Sequence, residues 1–82
     1  MQFEANINSR VGLVVPHSLK KLVADKSSNI NVSERDDMLE YQYTYYDGCS
    51  IVYVIEKSSF IVKSWRYAST KELCSKRKYG PW

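Results

Sequence analysis

Two cysteines bracket a pair of strand-like runs, and that bracket constrains the fold more than anything else in the chain. Cys49-Ser-Ile-Val-Tyr-Val-Ile-Glu56 is followed by the polar Lys57-Ser58-Ser59 and then by Phe60-Ile-Val-Lys-Ser-Trp-Arg-Tyr67, with Cys74 closing the block. One cysteine stands just before the first strand and the other just after the second. The layout reads as a structural disulfide tying off a β-meander, in a small domain suited to an oxidising compartment. The competing reading is two independent buried thiols in a reducing compartment. At 82 residues the chain is a single domain near the lower size limit for a self-supporting core. A bond there would stabilise it by roughly 3–4 kcal/mol.

Immediately upstream, residues 38–46 alternate, with Leu39, Tyr41, Tyr43 and Tyr45 on one side and Glu40, Gln42 and Thr44 on the other. Asp47-Gly48 then carries the strongest hairpin signal in the chain. A two-residue loop there sets Tyr46 opposite Cys49, Tyr43 opposite Val52 and Tyr41 opposite Val54. The expected core face is therefore Leu39, Tyr41, Tyr43, Val52 and Val54. The turn through Lys57-Ser58-Ser59 leaves the register of the last strand open by one residue, and with it the side taken by Trp65.

The first half of the chain is less patterned. Residues 1–10 alternate weakly through Phe3, Ala5 and Ile7 and read as an arm or short strand. Gly12 marks a turn, and Val14-Val15 before Pro16 should be extended. Leu19, Leu22 and Val23 then fall at helical spacing, predicting a short helix from Pro16 to about Asp25 that covers the sheet. Residues 26–37 are polar and read as a loop, with Asp36-Asp37 a solvated turn rather than an acid–base pair. Asn31-Val32-Ser33 is a formal glycosylation sequon. The organisation is an arm or strand over 1–10, an α+β domain over 11–74 and a basic tail over 75–82.

Charge and ligand chemistry exclude several functions. Residues 1–47 carry 5 basic and 7 acidic groups, whereas 48–82 carry 7 basic and 2 acidic. Much of the excess lies in Lys76-Arg77-Lys78. Beside Tyr79 and Trp82 this run reads most simply as a solvated tail, the other reading being contact with phosphate or a membrane surface. Two cysteines and the lone His17 cannot complete a zinc site, and no cofactor or metal is expected. His17 reads as a surface residue at the start of the expected helix. The scattered glycines form no phosphate loop, and no residue set is catalytic. No stretch is long and apolar enough to span a membrane, and Met1-Gln-Phe-Glu-Ala-Asn has no signal-peptide character, so any leader is expected to have been removed.

The order of Gly12, a short helix with paired leucines, a polar loop and a Tyr-rich strand resembles the SmpA/OmlA family, which includes the BamE-like small lipoproteins of the bacterial envelope. The continuation through Cys49, Tyr53, Glu56, Ile61-Val62-Lys-Ser-Trp65 and Cys74 extends that resemblance over roughly residues 11–74. Two departures stand out. Asp25-Lys26-Ser27-Ser28 replaces the Gly-x-Pro that usually follows the helix, and the turn glycine expected near Ser59 is missing. The resemblance implies an α+β fold, one or two short helices packed on a three-stranded antiparallel β-meander, as in β-lactamase-inhibitor proteins. It also implies a periplasmic, outer-membrane-anchored lipoprotein domain, tethered by a lipidated cysteine outside these residues. Such a domain acts by protein–protein contact and is not an enzyme.

Function then rests on a binding surface. Tyrosine and tryptophan give large contact area at low entropic cost, and seven of the eleven aromatic residues are Tyr. The candidate contacts are Tyr45, Tyr46, Tyr53, Trp65, Arg66 and Tyr67, although Trp65 and some tyrosines read equally well as core. The favoured function is an envelope accessory module that binds another protein. The alternative is an immunity, inhibitor or exclusion protein that blocks a toxin, enzyme or surface receptor. A third reading, a small nucleic-acid-binding domain, is weakened because the strands offer only Lys63 and Arg66 as cations.

Overall fold

The computed structural model describes residues 2–16 and 29–80. Helix α1 (Gln2–Asn8) precedes four strands, β1 (Ile30–Arg35), β2 (Met38–Thr44), β3 (Ser50–Glu56) and β4 (Val62–Tyr67), and a 3-10 turn spans Lys71–Cys74. The strands form one antiparallel sheet in the order β1-β2-β3-β4. The chain is therefore α+β. The helix expected over Leu19, Leu22 and Val23, and His17 before it, lie outside the described residues.

Three local expectations are corrected. The N-terminal segment is a helix, not a strand or arm. Phe3 and Ile7 stand four residues apart on one face and are fully buried, while Ala5 between them points outward. Their burial stabilises the fold by about 1.5–3 kcal/mol each. Residues 30–35, expected to be loop, form β1, so the sheet has four strands where three were expected. Ile30 is buried and the rest of the strand exposed, an edge whose polar composition hides its pairing with β2. Asp36-Asp37 is the turn of that hairpin, with Asp36 in the left-handed region at φ 49°.

The third correction is the register of β2 against β3. Tyr43 lies opposite Ile51 and Tyr41 opposite Tyr53, one residue from the expected pairing. The cause is the loop. Tyr45 N–H donates to Cys49 O at 2.7 Å and Gly48 N–H to Tyr45 O at 3.0 Å, so the turn holds three residues. Only Gly48 has positive φ there, at 96°, as a turn ending in a left-handed residue requires. The slip exchanges faces. The inner face carries Ile30, Leu39, Tyr41, Tyr43, Ile51, Tyr53, Ile55, Trp65 and Tyr67, while Val52 and Val54 lie on the other with Glu40, Gln42, Ser64 and Arg66.

Between β3 and β4 a bulge sits at Val54/Ile55, which sets Ile55 opposite Val62 and both in the core. Phe60, near the missing turn glycine, takes φ 58°. The extended Val14-Val15 run is seen beside it, with Val14 bridging Ile61 and Val15 N–H donating to Phe60 O at 2.8 Å.

Cys49 and Cys74 form a disulfide, their Cα atoms 5.0 Å apart and both side chains fully buried. Replacing both by Ala should lower the unfolding free energy by about 3 kcal/mol in urea titrations; a loss under about 1 kcal/mol would show that the bond hardly restrains the unfolded chain. Asp36→Gly should act oppositely, adding about 0.5–1 kcal/mol by relieving a left-handed conformation at an exposed position. Thermal melts check it, and an unchanged or lower midpoint contradicts the strain argument.

Candidate functional site

The disulfide delivers the C-terminal segment to the turn end of the β2–β3 hairpin, and the two together build the candidate site. Arg77, three residues beyond Cys74, lays its guanidinium 3.6 Å from the centroid of the Tyr45 ring and 5.8 Å from that of Tyr46. Its Nη2 donates to Asp47 Oδ2 at 2.8 Å. Asp47 is itself fixed by the turn, since Cys49 N–H donates to Asp47 Oδ1 at 3.2 Å. The Arg77 bond, helped by the Cys49 amide, holds the Asp47 carboxyl below the usual carboxylate range. Tyr45 Oη donates to Tyr79 O at 3.2 Å, and Gly80 N–H donates to Asn6 Oδ1 at 2.7 Å, so the segment is latched to α1 as well. A side chain at position 80 would lie 3.0 Å from Ile7 Cγ1 and 3.1 Å from Tyr53 Oη, an approach that suits glycine.

These residues enclose an open groove of about 460 Å³. Tyr45 and Arg77 form its half-buried floor, and Tyr46 and Tyr79 are its exposed aromatic walls. Tyr46 is 95% exposed and Tyr79 72%, the two most exposed large hydrophobic residues among those described. Lys76 and Lys78 complete the rim. The residues expected to be a solvated tail are therefore packed on the domain from Ser75 to Gly80.

The six expected contact residues do not meet at one place. Tyr45 and Tyr46 belong to the groove. Tyr53 is 1% exposed, a core residue unavailable to any partner, because the one-residue register slip turned it inward. Trp65 and Tyr67 serve α1: Trp65 Nε1 donates to Asn8 Oδ1 at 2.6 Å, Tyr67 Oη to Glu4 Oε2 at 2.8 Å, and the two rings meet edge to face at 5.0 Å. Arg66 projects from the opposite face and pairs with Glu40 at 2.8 Å. Lys76, Arg77, Lys78 and Tyr79 were absent from the expected set. Their signal was the basic run beside Tyr79, whose folding back depends on a contact with Tyr45 and Asp47 some 30 residues away.

Comparison of the chain with models of known protein families, with curated protein sequences and with solved structures finds no match.

Burial pushes the Tyr45 phenol up to about 12, against a smaller opposing pull from Arg77, and burial with the Glu4 bond pushes Tyr67 up to about 12. A raised folded-state value means the stabilisation is complete below the ordinary tyrosine value of 10 and is lost as pH rises through about 12. The urea midpoint should therefore fall across that window, and Tyr45→Phe should flatten the fall. A midpoint independent of pH there would contradict the burial of both phenols.

Proposed function

We infer that this protein is a non-catalytic, protein-binding module of the bacterial cell envelope, an accessory lipoprotein domain of the SmpA/OmlA kind with a BamE-like fold. The observation that carries the reading is the pair of exposed rings, Tyr46 and Tyr79, on a surface held rigid by the Cys49–Cys74 bond. Exposed aromatic side chains on a fixed support supply contact area with little entropy left to lose on binding. A buried disulfide suits an oxidising compartment, and the antiparallel meander with its helix agrees with the α+β half of the resemblance. The groove's tyrosine rings and cationic side chains fit contact rather than bond-making.

The inhibitor, immunity or exclusion reading is favoured by one feature of its own. Tyr46 sits in the turn of a hairpin that the disulfide braces directly beside the loop, the shape of a loop that plugs a target's cleft. A toxin or enzyme gene beside this one, and inhibition of its product, would select that reading.

A photo-cross-linker at position 46 should capture a defined partner in envelope fractions, whereas one at Ser64 on the opposite face should not. Tyr46→Ala should weaken that complex at least about tenfold while leaving the melting temperature unchanged. Equal losses in affinity and stability would sink the assignment. Intact mass of protein recovered from the envelope should be lower than that of the reduced chain by two hydrogens; two free thiols in folded protein would remove it from the envelope.

A further inference from the structure

The segment ending at Gly80 is a ridge between two depressions. On one side is the hairpin groove. On the other a second depression of about 350 Å³ is walled by Gln2, Ala5 and Asn6 of α1, and the two share Lys78 and Tyr79. Arg77 faces inward, engaged by Tyr45 and Asp47, so its charge is matched. Lys76 and Lys78 on either side of it are exposed, and neither meets a carboxylate among the described residues. The ridge thus displays two exposed ammonium groups, without a carboxylate partner among the described residues, beside two exposed tyrosine rings, with side-chain amides along one wall.

We propose that this ridge and its flanking depressions bind an acidic segment of a protein partner, an extended stretch in which carboxylates alternate with apolar or aromatic side chains. The carboxylates meet Lys76 and Lys78, the apolar side chains lie against Tyr46 and Tyr79, and the amides of Gln2 and Asn6 face the peptide backbone. This rests on the protein-binding reading and narrows it to the chemistry of the partner.

Charge and shape favour a peptide over other polyanions. Two exposed lysines give few phosphate contacts, and the rings that would make a stacking platform on the sheet, Tyr41 and Tyr53, are buried. Two lysines likewise give weak attraction to an anionic bilayer, and paired depressions fit a chain better than a flat surface. Exposed charge meeting exposed charge also predicts an association that weakens with salt.

The test uses the full chain with its disulfide intact and a panel of short labelled peptides in which Glu alternates with Leu, Phe or Tyr. Fluorescence anisotropy should detect binding by at least one of them and none by the counterparts carrying Lys for Glu. Added salt should weaken the complex. The double variant K76E/K78E should weaken it about tenfold or more, and Y46A should weaken it too, with amide spectra confirming both fold as the parent does. K71E, a single lysine-to-glutamate reversal outside both depressions, should leave binding unaltered. Failure of every acidic peptide, or equal binding by K76E/K78E, overturns the proposal. So does lysine-dependent binding of phosphatidylglycerol vesicles or oligothymidylate in place of the peptides. If the peptides fail while the cross-linker at position 46 still captures a partner, the acidic chemistry falls and the protein-binding reading stands; loss of both removes both.

Discussion

The Cys49–Cys74 bond is the constraint on which the surface of this protein depends. It fastens the C-terminal segment to the first residue after the β2–β3 loop, and residues 75–80 are placed from that point. Arg77 then lies within reach of Tyr45 and Asp47, and Gly80 within reach of Asn6. Ordering six residues costs about 1–2 kcal/mol each in backbone entropy. The cation–π contacts of Arg77, its ion pair with Asp47 and the two hydrogen bonds to Tyr79 and Gly80 do not offset that alone. The covalent tether lowers the cost by confining the segment before any of those contacts form.

The second constraint is the length of the hairpin loop. Because side chains alternate faces along a strand, one residue more or less in the loop decides which half of β3 enters the core. With Tyr46-Asp47-Gly48 as the loop, Ile51, Tyr53 and Ile55 point inward to meet Phe3 and Ile7, and Val52 points away. Tyr53 becomes the central buried ring, close to Gly80 on one side and paired with Tyr41 and Trp65 in the ladder. The aromatic richness of the chain is thereby divided. Most of the described rings pack in or against the core with the aliphatic side chains, and Tyr46 and Tyr79 are left outside.

Legibility in the sequence follows the same division. The disulfide, the three later strands and the Asp47-Gly48 turn were readable because each has a local signal: a cysteine at a strand margin, a period of two, a turn dipeptide. The N-terminal helix was not, since Phe3, Ala5 and Ile7 satisfy a period of two as well as an i, i+4 pair, and only packing on Trp65 and Tyr67 decides between them. Strand β1 was hidden because an edge strand with one buried side chain resembles a polar loop. The candidate site was half legible. Tyr45 and Tyr46 follow from the hairpin, but Tyr53 was misplaced by a one-residue slip, and the Lys76–Tyr79 contribution is a long-range contact with no local pattern.

What remains is why aromatic residues stand where folding does not need them. The turn requires a left-handed residue at position 48, which glycine supplies, and a carboxylate at 47 that receives the Cys49 amide and Arg77. It requires nothing of position 46, whose ring is almost wholly exposed and so adds little apolar burial to the folded state. Tyr79 is in the same position, since its backbone carbonyl, not its ring, is what accepts the Tyr45 hydroxyl. A single exposed tyrosine is ordinary. Two at the mouth of one groove, flanked by exposed lysines and held by a disulfide, concentrate contact area and charge at a place where stability gains almost nothing from either. That concentration, more than any one residue, is what the proposal of a partner-binding surface at this end of the molecule rests on.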